Sequence, residues 1–200
     1  LENLIEAPGR ALVVRGDAKA LPLPDNSVHL IVTSPPYAAN AIDYMRAHKF
    51  SLLWFGCQPE SLTGLRNKYI GAEVRSRNLV FSAPTAKRVL QKLLHKDPRK
   101  AAVVAHYFHE MEASLQEMLR VLSRGRAAIL VVGSSRIRDV EIESPTVLAE
   151  LAENVGFHVI RVAKRKIARD SRMMPVSRNS KHIGIEARMH DEGVIGLIKP

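Results

Sequence analysis

The apolar run Val28-His29-Leu30-Ile31-Val32 meets Thr33-Ser34-Pro35-Pro36-Tyr37, and this junction constrains the fold more than any other stretch of the chain. The run has the length and β-branched content of a short buried strand. Pro35 and Pro36 cannot extend it, because proline has no backbone N–H to give to a neighbouring strand. The strand must finish at a sheet edge, followed by a stiff loop that carries a hydroxyl at Ser34 and a ring at Tyr37. A polar side chain, two rigid residues and an aromatic in that place make a compact site for a flat molecule bearing an amino group.

The other elements alternate strand and helix. Ala11-Leu12-Val13-Val14 is expected as a second buried strand, ended by Gly16-Asp17-Ala18, with a turn through Pro22, Pro24, Asp25 and Asn26. Neighbouring strands of this kind, each ending in a small polar cluster, suit an α/β sheet whose ligands gather at the carboxyl edge. Residues 41–55 are loosely helical, and 56–84 lack periodicity and read as a long loop or small insertion. A helix is expected around 85–95. The clearest helix spans about 101–122, where Phe108, Met111, Leu115, Met118, Leu119 and Leu122 recur at steps of three and four. These are core positions, and Gly125 is expected to end the helix. Strands follow at 127–132, 157–162 and 193–198. A further helix between them starts at Ser144-Pro145 and stops at Gly156. The alternation predicts an α/β fold, with 1–200 forming a single domain.

No apolar run approaches the roughly 20 residues that span a bilayer. The opening Leu1-Glu2-Asn3-Leu4 lacks the basic start and apolar core of a signal peptide. The single cysteine, Cys57, excludes an intrachain disulfide framework. A cytoplasmic protein without a membrane partner is expected. The net charge of +10 is uneven: residues 66–100 carry ten basic residues and two acids, and 161–181 carry eight and one, whereas 1–60 carry five and six. Such clusters suit a polyanion, although a solvated basic face explains charge equally simply.

An exocyclic amino nitrogen on a nucleobase is a poor nucleophile, because its lone pair is delocalised into the ring. Two acceptors on its two N–H groups pull it towards a pyramidal geometry and localise the pair. Ser34 Oγ and the backbone carbonyl of Pro35 are the candidate acceptors. Pro36 stiffens the loop, and Tyr37 is placed to stack on a base that has left the duplex. The competing reading is an extended connector with a surface or core tyrosine.

The loop resembles the catalytic motif of the DNA amino-methyltransferases, which methylate cytosine N4 or adenine N6, and the resemblance extends well beyond it. Gly16-Asp17-Ala18, the stretch Leu21-Pro22-Leu23-Pro24-Asp25-Asn26-Ser27-Val28, and the segments 41–50 and 185–190 are also similar to this family. The resemblance implies a Rossmann-like class I methyltransferase fold and S-adenosyl-L-methionine as cofactor. It further implies site-specific methylation of a flipped base in DNA, as in restriction-modification systems. Ser34, Pro35, Pro36 and Tyr37 match the catalytic motif. Asp17, with Ala18 and Thr33, falls at the cofactor-binding positions; a turn-capping role is the alternative for Asp17. Serine at position 34 is the form associated more with cytosine N4 than with adenine N6.

The chain also departs from the family. No two glycines are spaced as Gly-x-Gly, so the glycine-rich cofactor loop is absent, and no ribose-binding acid is identifiable. If Ala11–Val14 is the third strand of the seven-stranded sheet, the chain holds strands three to seven. It opens on Leu1 rather than Met, and an upstream segment or a separate chain is expected to supply the cofactor loop. An RNA amino-methyltransferase and a non-catalytic nucleic-acid-binding remnant are the rival functions. Arg172, Arg178 and Asn179 are candidate DNA contacts, and 56–84 is a candidate target-recognition loop. Cys57 precedes proline rather than following it, unlike the nucleophile of cytosine C5 enzymes, and the scattered histidines give no metal site.

Overall fold

The computed structural model describes residues 11–38, 44–66, 68–72, 74–76, 78–168 and 191–200. Its main sheet has four strands: β1 (Val28–Thr33), β2 (Leu122–Val132), β5 (His158–Lys166) and β6 (Asp191–Ile198), in the order β1-β2-β6-β5. β1 and β2 run parallel, and β6 is inserted antiparallel between β2 and β5. A small antiparallel pair, β3 (Arg136–Ile137) and β4 (Val140–Glu141), follows β2. The helices are α1 (Tyr44–Trp54), α2 (Ser61–Arg66), α3 (Pro84–Lys96), α4 (Pro98–Val121) and α5 (Ser144–Val155). The result is the expected partial Rossmann-like α/β fold.

α3, α4 and α5 cover one face of the sheet. α4 buries Val104, Phe108, Met111, Leu115 and Met118, the stripe that the spacing predicts. These side chains join Ala128, Leu130 and Val132 of β2 and Ile195 and Leu197 of β6 in one core. Two prolines organise the helix pair. Pro84 and Pro98 occupy the first turns, where a missing N–H costs nothing, and the Asp97 carboxylate caps α4 by accepting the Lys100 N–H at 3.1 Å. That bond and the Arg138 guanidinium hold the Asp97 carboxyl below its ordinary pKa.

Among the described residues, no helix covers the opposite sheet face. In the β1–β2–β6 register, Val32, Ile129 and Gly196 stand side by side on it, next to Leu30, Val131 and Val194. Leu30 and Val32 are 56% and 66% exposed. Among the described residues, no strand pairs with the outer edge of β1.

Three expectations are corrected. Ala11–Val14 is not a strand: Leu12 and Val13 are 86% and 97% exposed, and nothing beside them offers a ladder. An apolar run alone does not form a strand without a partner edge. α4 ends at Val121 rather than at Gly125, and Leu122 turns directly into β2. Gly125 instead takes φ +68° where β2 bulges against β1, its N–H donating to the Lys199 carbonyl at 2.8 Å. Ser144 does not cap α5. It is the first helical residue, and Glu143 precedes it in a left-handed conformation with φ +49°. Gly156, with φ +110°, terminates α5 as expected.

Candidate active site

The sheet's directions bring four chain segments to one edge. β1, β2 and β5 all end there, and antiparallel β6 begins there. The Ser34–Tyr37 loop thus lies beside Ser134, Ser135, Arg136, Lys164, Asp191 and Glu192. The last six line a cleft of about 470 Å³.

The loop is held from several sides. The Ser34 hydroxyl, exposed at the surface, donates to the Val131 carbonyl at 2.9 Å. With its proton committed to the backbone, its lone pairs remain free to accept. The Pro35 side chain is buried, and the Pro36 carbonyl accepts from the Tyr107 hydroxyl at 2.8 Å. The Ser135 hydroxyl donates to the Ala38 carbonyl at 3.3 Å. Gly71, with φ +82°, packs beneath: a Cβ there would sit 3.6 Å from the Tyr37 carbonyl oxygen.

Gly71 is fixed in turn by Glu110, whose buried carboxylate accepts its N–H at 3.1 Å and the Lys19 ammonium at 2.8 Å. His106 Nε2 lies 3.7 Å from the same carboxylate. A carboxylate removed from water requires such partners. Through Glu110, α4 ties the segment before β1 to Gly71, which packs against the Ser34–Tyr37 loop.

Tyr37 is half-buried. Its ring packs against the core, and its hydroxyl donates to Glu192 Oε1 at 3.0 Å. The second Glu192 oxygen is paired with the Arg165 guanidinium. The hydroxyl thus meets a residue of the cleft wall while the ring rests on the core.

Thr33 lies opposite Leu130 at the end of β1. Asp17 and Ala18 sit in an exposed turn where the Asp17 carboxylate accepts the Lys19 N–H at 2.9 Å. That is the turn-capping arrangement, and nothing in it brings Asp17 to Ser34. Arg172, Arg178 and Asn179 lie outside the described residues, as does the 185–190 segment. Glu192, Arg165, Tyr107 and Glu110 are site residues that the sequence reading missed. The one signal for Glu192 was an acidic pair, Asp191-Glu192, opening a strand in a basic part of the chain.

The chain is 24% identical over 193 residues to the type II methyltransferase M.MvaI of Kocuria varians, covering 90% of this chain. It is 26% identical over 151 residues to the type II methyltransferase M.AvaI of Nostoc sp., covering 66%. The chain is thus similar to the type II DNA methyltransferases over most of its length, and the family resemblance read in the sequence is borne out as one to DNA methyltransferases. It spans 42% of the length of M.MvaI and 31% of that of M.AvaI. A candidate DNA modification methylase from Thermus thermophilus superposes with a TM-score of 0.47 at 18% identity, over 92% of this chain and 52% of the other. A second crystal structure of that protein is complexed with S-adenosyl-L-methionine. No protein-family model matches the chain.

Proposed function

We propose that this chain carries the catalytic loop of a DNA methyltransferase that moves a methyl group from S-adenosyl-L-methionine to an exocyclic amino nitrogen of a flipped base, cytosine N4 rather than adenine N6. The observation that supports this best is the Ser34–Val131 hydrogen bond, which leaves the hydroxyl oxygen as a pure acceptor at an exposed edge. In this reading Ser34 Oγ and the Pro35 carbonyl each take one amino hydrogen. The nitrogen lone pair then points away from the loop. Tyr37 lies against the base, and no covalent nucleophile is needed. As the N–C bond forms, the bond between the methyl carbon and the sulfonium sulfur would break with its electron pair kept by the sulfur, and the amino group, cationic once methylated, would release one N–H proton to water. The preference for cytosine N4 rests on the resemblance, in which serine at position 34 is the form associated more with that target.

S-adenosyl-L-methionine supplies an electrophilic methyl group on its sulfonium sulfur. The fit of this chain to the cofactor is partial. Thr33 and the loop border the carboxyl end of β1, and Asp17 and Ala18 are the motif-matched positions, but the chain has no Gly-x-Gly cradle. An upstream segment or separate chain supplies that cradle in this proposal. The open sheet face and the unpaired edge of β1 are where it would dock. DNA lies across the basic clusters, with Arg172, Arg178, Asn179 and the 56–84 loop as its proposed contacts.

The test is methyl transfer from tritiated S-adenosyl-L-methionine to unmethylated phage DNA, followed by digestion to nucleosides. N4-methylcytosine is expected. Ser34→Ala and Tyr37→Ala should abolish incorporation while sparing DNA affinity. If both variants incorporate methyl at the wild-type rate, the assignment is wrong. Matched RNA serves as the control for an RNA substrate. The missing glycine cradle favours a second reading, a non-catalytic nucleic-acid-binding remnant. Calorimetry that shows DNA binding but no heat with millimolar cofactor would support it.

A further inference from the structure

The Ser34–Tyr37 loop has rigid support on its backbone, and the core packs against the Tyr37 ring. A ring that is to meet a base also needs the direction of its long axis fixed at its far end. The structure supplies that grip from two strands that the motif does not include.

Glu192 stands at the start of β6 and faces Arg165 of β5, its register partner. Its side chain is only 15% exposed. One carboxylate oxygen accepts the Tyr37 hydroxyl at 3.0 Å, and the other is held by the Arg165 guanidinium. A carboxylate anchored on one side by a guanidinium cannot swing to follow the tyrosine, so the tyrosine must come to it. Glu192 also lines the cleft beside the loop.

We propose that Glu192, pinned by Arg165, is a positioning residue that sets the direction in which the Tyr37 ring points before a base arrives. The inference rests on the methyl-transfer reading above for what the ring then does. Its physical basis is preorganisation: a ring already in place loses no rotamer freedom when the base enters.

Steady-state methyl transfer from tritiated S-adenosyl-L-methionine to unmethylated phage DNA reads this role. Glu192→Ala and Tyr37→Phe should each lower kcat about tenfold and leave KM for DNA within about twofold. The double variant should be no worse than either single, because both remove one contact. Glu192→Gln keeps an acceptor for the hydroxyl and should hold kcat within about threefold of wild type.

Wild-type kcat in Glu192→Ala, with Tyr37→Ala inactive, overturns the positioning role and leaves the methyl-transfer reading standing. Additive losses in the double variant, or no recovery with glutamine, likewise overturn it, since a general loss of folding would give both. Wild-type turnover in Tyr37→Ala overturns both inferences.

If the chain shows no turnover, fluorine NMR of protein labelled with 3-fluorotyrosine decides. The Tyr37 signal, identified by its loss in Tyr37→Phe, should move in Glu192→Ala and return in Glu192→Gln. An unmoved signal overturns the proposal.

Discussion

The Tyr107 hydroxyl, fully buried midway along α4, donates to the Pro36 carbonyl at 2.8 Å, so the longest helix directly supports the proline loop. Proline's preceding and following geometry is stiff, and this bond fixes where that stiffness points. Tyr107→Phe keeps the ring and strands the carbonyl. A loss of about 1–2 kcal/mol is expected, read as a lower urea midpoint with an unchanged m-value.

Gly193 lies where β6 passes the first turn of α5. A Cβ there would come within 2.5 Å of Pro145 Cβ and 2.6 Å of its Cγ. Neither the proline ring nor the strand can yield easily. Gly193→Ala should therefore cost about 1–3 kcal/mol, seen as a fall in Tm. Gly64→Ala, which meets nothing within 4 Å, is the control expected to leave Tm nearly unchanged.

Glu117 ties the turn before β1 to the end of α4. It bonds the Arg120 guanidinium at 2.8 Å and the Leu21 N–H at 2.8 Å, and Arg120 also reaches the carbonyls of Leu21 and Leu23 and the Asp25 carboxylate. The guanidinium first, then the backbone N–H, lower the Glu117 pKa from 4.5 to about 2. A lowered native pKa means the contribution is complete above pH 4.5 and fades as pH falls towards 2. Denaturant titrations across that window should show stability dropping with acid. In Glu117→Gln the slope should be shallower.

Among the described residues, Ser144 Oγ is buried without a hydrogen-bond partner in the first turn of α5. Removing an unsatisfied hydroxyl relieves its desolvation cost while losing almost no volume. Ser144→Ala should be neutral or stabilising by up to about 1 kcal/mol, measured by chemical denaturation. A clear loss of stability would show that the hydroxyl has a partner after all.

Much of this architecture was legible in the chain itself. The α4 stripe and Gly156 at a helix end act within a few residues of themselves, so local rules suffice. The strand ending at Thr33 was legible because two prolines leave no alternative. What could not be read depends on distant partners. Leu12 and Val13 have strand composition, but a strand also needs a neighbour. The bonds Tyr107–Pro36 and Tyr37–Glu192 join residues 71 and 155 positions apart. Only the sheet order, with β6 inserted beside β2, brings the second pair together. Ser144 misled for a local reason: the left-handed Glu143 moved the cap one residue earlier.

The place of β6 has a consequence for how such a protein is made. It is the last of these strands to leave the ribosome, yet it sits inside the sheet, bonded to β2 on one side and β5 on the other. Until residue 198 has emerged, both neighbours expose raw ladder edges to the crowded cell, and Glu192 is not yet beside Tyr37. The site can therefore form only after β6 has emerged, and the waiting intermediate is the species for which a chaperone would compete.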